Sequence, residues 1–366
     1  MQKRQSKPCL VHTCKVALPE KGGVQIVANE ILKSLAGDFK STMISTYKNQ
    51  SLPPPQVKNL DYILKKPWFE FKSLPISPGI VTALWKRAKN ADAVVVHYPF
   101  PLADIAVGLL PGRFKNLIVY WHSDIFEQKM LNKLLSPFTR LMLNRSTAIV
   151  VSSPKLLEHS HFLKRHKKKC VVIPFGYDPD ETIKTSDEGF YLCIGRHVKY
   201  KGMNYLINAA SKTSVQLVII GSGPLLEEHS KLAAQLNLTN RIKFIQGASD
   251  YQVADYISRC RALILPSISP NEAFGLVQIE ALSFGKPVIN TDLPSAVPWV
   301  ARNGIEAITV EPANIDELVN AIDRLEKNEQ LRQSLSNNAY KRWRTTFTMN
   351  LFHSRTRVFF NKICNV

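Results

Sequence analysis

Short apolar runs alternate with longer amphipathic segments along the whole chain, the pattern of buried parallel strands joined by helices. In the first half, apolar runs fall at 9–14, 41–45, 93–97, 117–121 and 148–151. Helical periodicity falls between them, at 24–35, 78–88, 103–110, 129–143 and 154–159. Residues 170–173 lead into PFGYDPDE, and the polar stretch 182–188 reads as a linker. A second series then begins, with strands predicted at 190–195, 215–220, 242–245, 262–265, 287–290 and 307–310. Its helices are predicted at 202–210, 224–234, 252–258, 276–282 and 315–327, with two more at 329–343 and 349–360. No internal repeat or low-complexity tract interrupts this order, and 47–77 carries no readable pattern. The expected architecture is two α/β domains, 1–172 and 173–346, with 347–366 packing back on the first. Such a pair predicts a cleft lined by the carboxyl ends of both sheets, where open α/β sheets bind ligands.

Length and charge sharpen this picture. A chain of 366 residues suits two or three domains. Lys and Arg total 48 against 29 Asp and Glu, a formal charge of +19. Residues 1–172 hold 27 basic and 10 acidic side chains, net +17; residues 173–366 hold 21 and 19, net +2. The first domain is therefore expected to face something anionic. No apolar stretch reaches the ~20 residues of a transmembrane helix; the best, 94–110, is broken by His97, Pro99, Pro101 and Asp104. The N-terminal segment is not expected to be a signal peptide. Six cysteines show neither a C-x-x-C pair nor metal-ligand spacing, which points to reduced thiols in the cytoplasm.

Chemistry concentrates in NEAFGLVQIEALSFG, residues 271–285. Glu272 falls in a loop and Glu280 inside a helix that starts near Leu276. A loop carboxylate can accept hydrogen bonds from sugar hydroxyls, and the N–H groups of a helix start suit phosphate oxygens. Gly275 allows backbone to approach a ligand closely. Two glutamates eight apart would by themselves be an ordinary solvated helix face. The surrounding residues make the segment specific: it resembles the E-x7-E signature of retaining glycosyltransferases of family 4. Further segments resemble that family in order: GRHVKYKG (195–202), IGSGP (220–224), DYQVADYISRCRALILPS (250–267), PEKGGVQIVANEILKSLA (19–36) and VYWHSDI (119–125). The resemblance spans 8–347 and implies the GT-B fold, two Rossmann-like domains.

Each of these positions has a plain competitor. Arg196 and Lys201 follow a predicted strand and can neutralise a nucleoside diphosphate, or they form a solvated basic loop with Lys199. Gly22 and Gly23 precede a helix, where backbone can approach phosphate or simply turn. Gly221, Ser222 and Gly223 form a tight turn that also offers backbone donors, and Gly247 sits in a loop resembling the family's base-binding region. Asp250 and Tyr251 read as a helix cap. His122 ends a strand, and the resemblance implies contact with the transferred sugar or leaving group; a satisfied strand-end histidine is the alternative. Asp124 would orient it or cap the next turn. His97 ends a neighbouring strand, with an acceptor contact and a structural role equally open.

Together these residues imply a retaining transferase with His122 and Glu272 at its reaction centre. Glu280 would hold ribose hydroxyls and Arg196 and Lys201 the diphosphate. Glu272, with the Phe274–Gly275 backbone and Leu276, would hold the sugar. Fixed cations and helix-end amides stabilise charge on the departing diphosphate. No cofactor is expected, and no metal, since no D-x-D motif stands out. Nor do the carboxylates form a hydrolase pair. The segments 121–125 and 133–158 look most like bacterial surface-polysaccharide enzymes such as those of the O-antigen. GDP-mannose is the favoured donor, with a UDP-sugar as the other option. The run KRHKKK (164–169) and the region from Lys3 to Lys7 suit anionic lipid headgroups, and hence a polyprenyl-diphosphate-linked acceptor at the inner membrane face. Nucleic acid is not expected, because the basic run lacks interleaved aromatics. Two alternatives remain: another GT-B enzyme such as a phosphorylase or epimerase, and a catalytically silent sugar-nucleotide-binding subunit.

Overall fold

Val-, Ile- and Leu-rich runs buried on both faces are what a parallel sheet requires, and the apolar runs of this chain form two such sheets. The computed structural model describes residues 7–16, 22–47, 54–71, 74–110, 114–125 and 129–366. It divides the chain into unit 1, Met1–Pro174 with Asn350–Val366, and unit 2, Phe175–Met349.

In unit 1 the strands are β1 Cys9–Val16, β2 Lys40–Thr46, β3 Leu60–Lys65, β4 Phe69–Phe71, β5 Leu74–Ile76, β6 Ala93–Tyr98, β7 Leu117–Trp121, β8 Ala148–Val151 and β9 Cys170–Val172. All but β4 and β5 join one parallel sheet in the order β3-β2-β1-β6-β7-β8-β9, while β4 and β5 form an antiparallel hairpin. The helices are α1 Gly23–Leu35, α2 Pro78–Ala88, α3 Pro101–Leu109, α4 Lys129–Arg145 and α5 Pro154–His159. Prolines at the first turn of α2, α3 and α5 cost nothing, because those N–H groups have no intrahelical acceptor. This is why α3 starts two residues earlier than periodicity predicts.

Unit 2 contains β10 Phe190–Ile194, β11 Gln216–Ile220, β12 Ile242–Ile245, β13 Ala262–Ile264, β14 Val288–Thr291 and β15 Ala307–Val310. They run parallel in the order β12-β11-β10-β13-β14-β15. Its helices are α6 Met203–Ser211, α7 Leu226–Gln235, α8 Asp250–Arg259, α9 Leu276–Ser283, α10 Val297–Val300, α11 Ile315–Lys327 and α12 Glu329–Thr346. The last helix, α13 Met349–Cys364, carries the chain back into unit 1. There Phe360 packs on Phe39, Tyr120 and His12, and His353 Nε2 lies 3.4 Å from Glu30.

Both sheets have the Rossmann-like order. The chain builds outward from the first strand, then crosses to its other side, leaving a switch point beside β1 in unit 1 and beside β10 in unit 2. Among the described residues no helix is long and apolar enough to cross a membrane.

Candidate active site

The loops that leave the carboxyl ends of β10, β11 and β13 are tied together by backbone. Gly195 N–H donates to Ile220 O at 2.9 Å, His197 N–H to Ser222 O at 2.8 Å, and Ile268 N–H to Tyr200 O at 2.8 Å. Gly221 packs directly against the Gly195 carbonyl, an approach that no side chain would permit. Its own N–H donates to Ile245 O at 2.9 Å, so Gly221 contributes closeness and not a phosphate donor. Ser222 is exposed beside it. Under this turn His197 and His229 are buried, with their Nδ1 atoms 2.9 Å apart. Gly247 follows β12 in the left-handed region with φ 66° and open space around it.

On this platform lies an ion pair that periodicity could not reveal. Lys201 Nζ sits 2.5 Å from Glu272 Oε2, and Ser267 Oγ donates to the same oxygen at 2.9 Å. Burial works to strip the Lys201 proton, but the Glu272 carboxylate more than offsets it and holds the amine above its usual pKa. Two residues expected to grip different parts of a ligand are thus joined. Arg196 and Lys199 are exposed on the same loop as Lys201.

Glu272 stands just ahead of α9. Gly275 caps that helix at φ 71°, a conformation costly for other residues, and a Cβ there would come within 2.8 Å of Leu265 Cδ2. The helix start leaves the N–H groups of Leu276 and Val277 without intrahelical acceptors, while Gln278 N–H donates to Gly275 O at 2.9 Å. The Phe274 ring is buried against Phe175 and Phe347, at centroid distances of 4.8 and 6.2 Å. Only its backbone is available to a ligand, and the ring anchors the loop. Glu280 lies inside α9, and burial together with the Asp250 charge pushes its carboxyl up to about 7. The cap of α8 is Ser249, in a capping box with Gln252, and Asp250 is the first helical residue.

The loop is held from below by a buried polar network that sequence reasoning missed. Gln278 Nε2 donates to Phe274 O and Val297 O at 3.2 and 3.3 Å. Asn290 Nδ2 donates to Gln278 Oε1 and Ala301 O, both at 2.9 Å, and Thr309 Oγ1 donates to Asn290 Oδ1 at 2.7 Å. A Gln inside an apolar helix and an Asn ending an apolar strand were the signals, since buried amides require partners. Asp178-Pro179-Asp180 does spell D-x-D, but both carboxylates accept backbone hydrogen bonds. Asp178 accepts from Met349 N–H at 2.9 Å, and Asp180 accepts from Thr182 N–H and Oγ1 at 2.9 and 2.7 Å.

In unit 1, Gly22 is the extended N-cap of α1 and Gly23 its first residue; the preceding 17–21 lies outside the described residues. His122 follows β7, buried, with Nε2 3.1 Å from His97 Nδ1. Asp124 Oδ1 accepts from Trp121 Nε1 at 2.8 Å and Ser160 Oγ at 2.7 Å. Within the basic run, Lys169 is also otherwise engaged, donating to Leu143, Asn144 and Ser146 carbonyls at the end of α4. Lys164, Arg165, Lys167 and Lys168 are exposed; Lys3 and Arg4 lie outside the described residues.

Comparison with known proteins agrees with this division. A family model described as Glycosyltransferase Family 4 matches residues 21–181, and one described as Glycosyl transferases group 1 matches 178–342. The chain is 27% identical over 351 residues to O-antigen chain mannosyltransferase C of Escherichia coli, covering 93% of this chain and 94% of that one. It is 30% identical to the D-rhamnosyltransferase WbpZ of Pseudomonas aeruginosa, covering 74% and 75%. Sucrose-phosphate synthase from Thermosynechococcus elongatus superposes with a TM-score of 0.81 at 18% identity, over 98% and 99% of the two chains. The chain belongs to the family 4 glycosyltransferases and is a glycosyltransferase with the two Rossmann-like domains of the GT-B fold.

Proposed function

We propose that this glycosyltransferase takes part in bacterial surface glycan synthesis, moving a hexose from a nucleoside-diphosphate sugar with retention of anomeric configuration. The observation that carries the reading is the Lys201–Glu272 pair beside the α9 start, a cation and a carboxylate held where a switch point favours ligands. In this reading a diphosphate draws on the Lys201 charge, supplemented by Arg196. Glu272 accepts from sugar hydroxyls, and Glu280 accepts from the ribose. As the glycosidic bond breaks, negative charge grows on the diphosphate, and fixed cations and first-turn amides stabilise it without a metal. His122 contacts the transferred sugar or leaving group.

The mannosyl and D-rhamnosyl activities named for the relatives support a GDP-mannose-like donor over a UDP-sugar. The acceptor is a glycan on a polyprenyl diphosphate, met at the cytoplasmic membrane face. The exposed cations of the 164–168 run support that attachment, as does the β4–β5 hairpin, where Trp68 is 77% and Phe69 57% exposed beside Lys66.

The test is binding and turnover with GDP-mannose and UDP-glucose, with product anomers read by NMR. Arg196→Ala should weaken GDP binding by about 10- to 100-fold, the worth of a charge-assisted hydrogen bond. An unchanged dissociation constant removes Arg196 from the site. An inverted product would overturn the retaining assignment.

A further inference from the structure

His122 does not stand alone: it ends a row of three histidines drawn from neighbouring strands. His12 pairs with Val95 across β1 and β6, and His97 pairs with Tyr120 across β6 and β7. Because side chains alternate along strands, His12, His97, Tyr120 and His122 share one face, over which Phe360 of α13 packs. His12 Nδ1 lies 3.5 Å from His97 Nε2, at the long end of hydrogen bonding, and His97 Nδ1 lies 3.1 Å from His122 Nε2. The rings stack at 5.8 and 5.4 Å. His97 uses one nitrogen toward each neighbour, so the three form a row and do not converge on a common point.

All three are buried, and burial opposes the imidazolium form. It lowers His12 to about 3 and His122 to about 4, and it holds His97 well below the ordinary imidazole value, helped by both neighbours. Each ring is then neutral at pH 7 and carries one N–H. His97 must accept at one nitrogen and donate at the other, so the row has only two proton orders, and all three rings change tautomer together. The two orders differ at the far end. His12 Nε2 is buried with no hydrogen-bond partner among the described residues. One order leaves a bare lone pair there; the other buries an N–H with nothing to bind. Orphaned buried N–H groups are the rarer of the two.

We infer that His12 and His97 are positioning residues that hold His122 as its Nδ1–H tautomer, making it a hydrogen-bond donor at Nδ1. His97 Nδ1–H donates to His122 Nε2, and His12 Nδ1–H donates to His97 Nε2. A donor suits a sugar or phosphate oxygen, so the functional consequence rests on the reading that His122 contacts the transferred group. The tautomer itself does not.

The full chain, labelled with 15N-histidine, tests this by long-range 1H–15N correlation at pH 7.5, with His122→Phe identifying the His122 signals. The expected pattern is Nδ1–H at His122 in the native chain, shifting to Nε2–H or a mixture in His97→Phe. An Nε2–H His122 in the native chain, or one whose tautomer is unchanged by His97→Phe, overturns the proposal. Should His97→Phe unfold, His12→Phe gives the same readout from the other end of the row. With GDP-mannose or UDP-glucose, His97→Phe should lower kcat about tenfold while KM stays within about twofold, and His97→Gln should recover part of the loss. If neither sugar turns over with the native chain, the donor reading fails while the tautomer result stands.

Discussion

Glu280 links the site to pH. Its carboxyl, raised to about 7 by burial and by Asp250, binds more protons in the folded than in the unfolded chain near neutrality. Its contribution to stability therefore falls as pH rises from the ordinary carboxylate range toward 7. Ligand binding should run the other way. Ribose hydroxyls donating to this carboxylate favour its ionised form, so GDP should bind more tightly as pH climbs from about 6 to 8, with proton release. Calorimetry in buffers of different ionisation enthalpy would measure that release, and Glu280→Gln should abolish it. Binding without proton release would mean that Glu280 does not meet the ribose. Lys201 and Glu272 teach a related lesson. Each was readable as a ligand contact, yet their 2.5 Å pairing depends on two loops 71 residues apart in sequence and could not be inferred from either segment.

At the level of elements, legibility followed burial. Strands such as β7, β8 and β12, and helices such as α2 and α11, begin and end where their apolar patterns do. The segment 47–77 defeated pattern reading because β3 is an edge strand with no fully buried residue, and Trp68 and Phe69 at the start of the β4–β5 hairpin are exposed. Strand β9 is three residues long with two of them exposed, and α10 is a single four-residue turn; neither is long enough to show a period. The Gln278–Asn290 network was hidden for a different reason: it joins a helix to a strand through side-chain amides. Asn290→Ala would leave the Gln278 and Thr309 groups unpaired in the interior, a loss of about 1–3 kcal/mol. Thermal unfolding should register that cost, and weaker GDP binding should accompany it if the network holds the Glu272 loop. Gly275→Ala acts on the same loop through a left-handed backbone position and should cost roughly 1–3 kcal/mol. An unchanged melting temperature would show that the loop can relax around a side chain.

Across the whole molecule, the charge imbalance falls almost entirely on residues 1–172, which all belong to unit 1, while the proposed donor cations Arg196 and Lys201 belong to the nearly neutral remainder. Attraction to a bilayer and recognition of the donor thus draw on different parts of the chain. Sedimentation with phosphatidylserine vesicles should show binding that weakens as salt rises toward 0.5 M, roughly twofold or more in affinity per removed cation. Trp68 fluorescence should shift to the blue on binding, and Trp68→Phe should lose the shift. Binding to neutral phosphatidylcholine alone would contradict the electrostatic part of this reading. The return of α13 to unit 1 has a further consequence for biogenesis. A nascent chain can complete unit 2 from one continuous stretch. Unit 1 must wait, its Phe39, Tyr120 and His12 uncovered, until residues 350–366 leave the ribosome. Of the two units, the one begun first is thus finished last, and in that interval its uncovered aromatic face is open to aggregation.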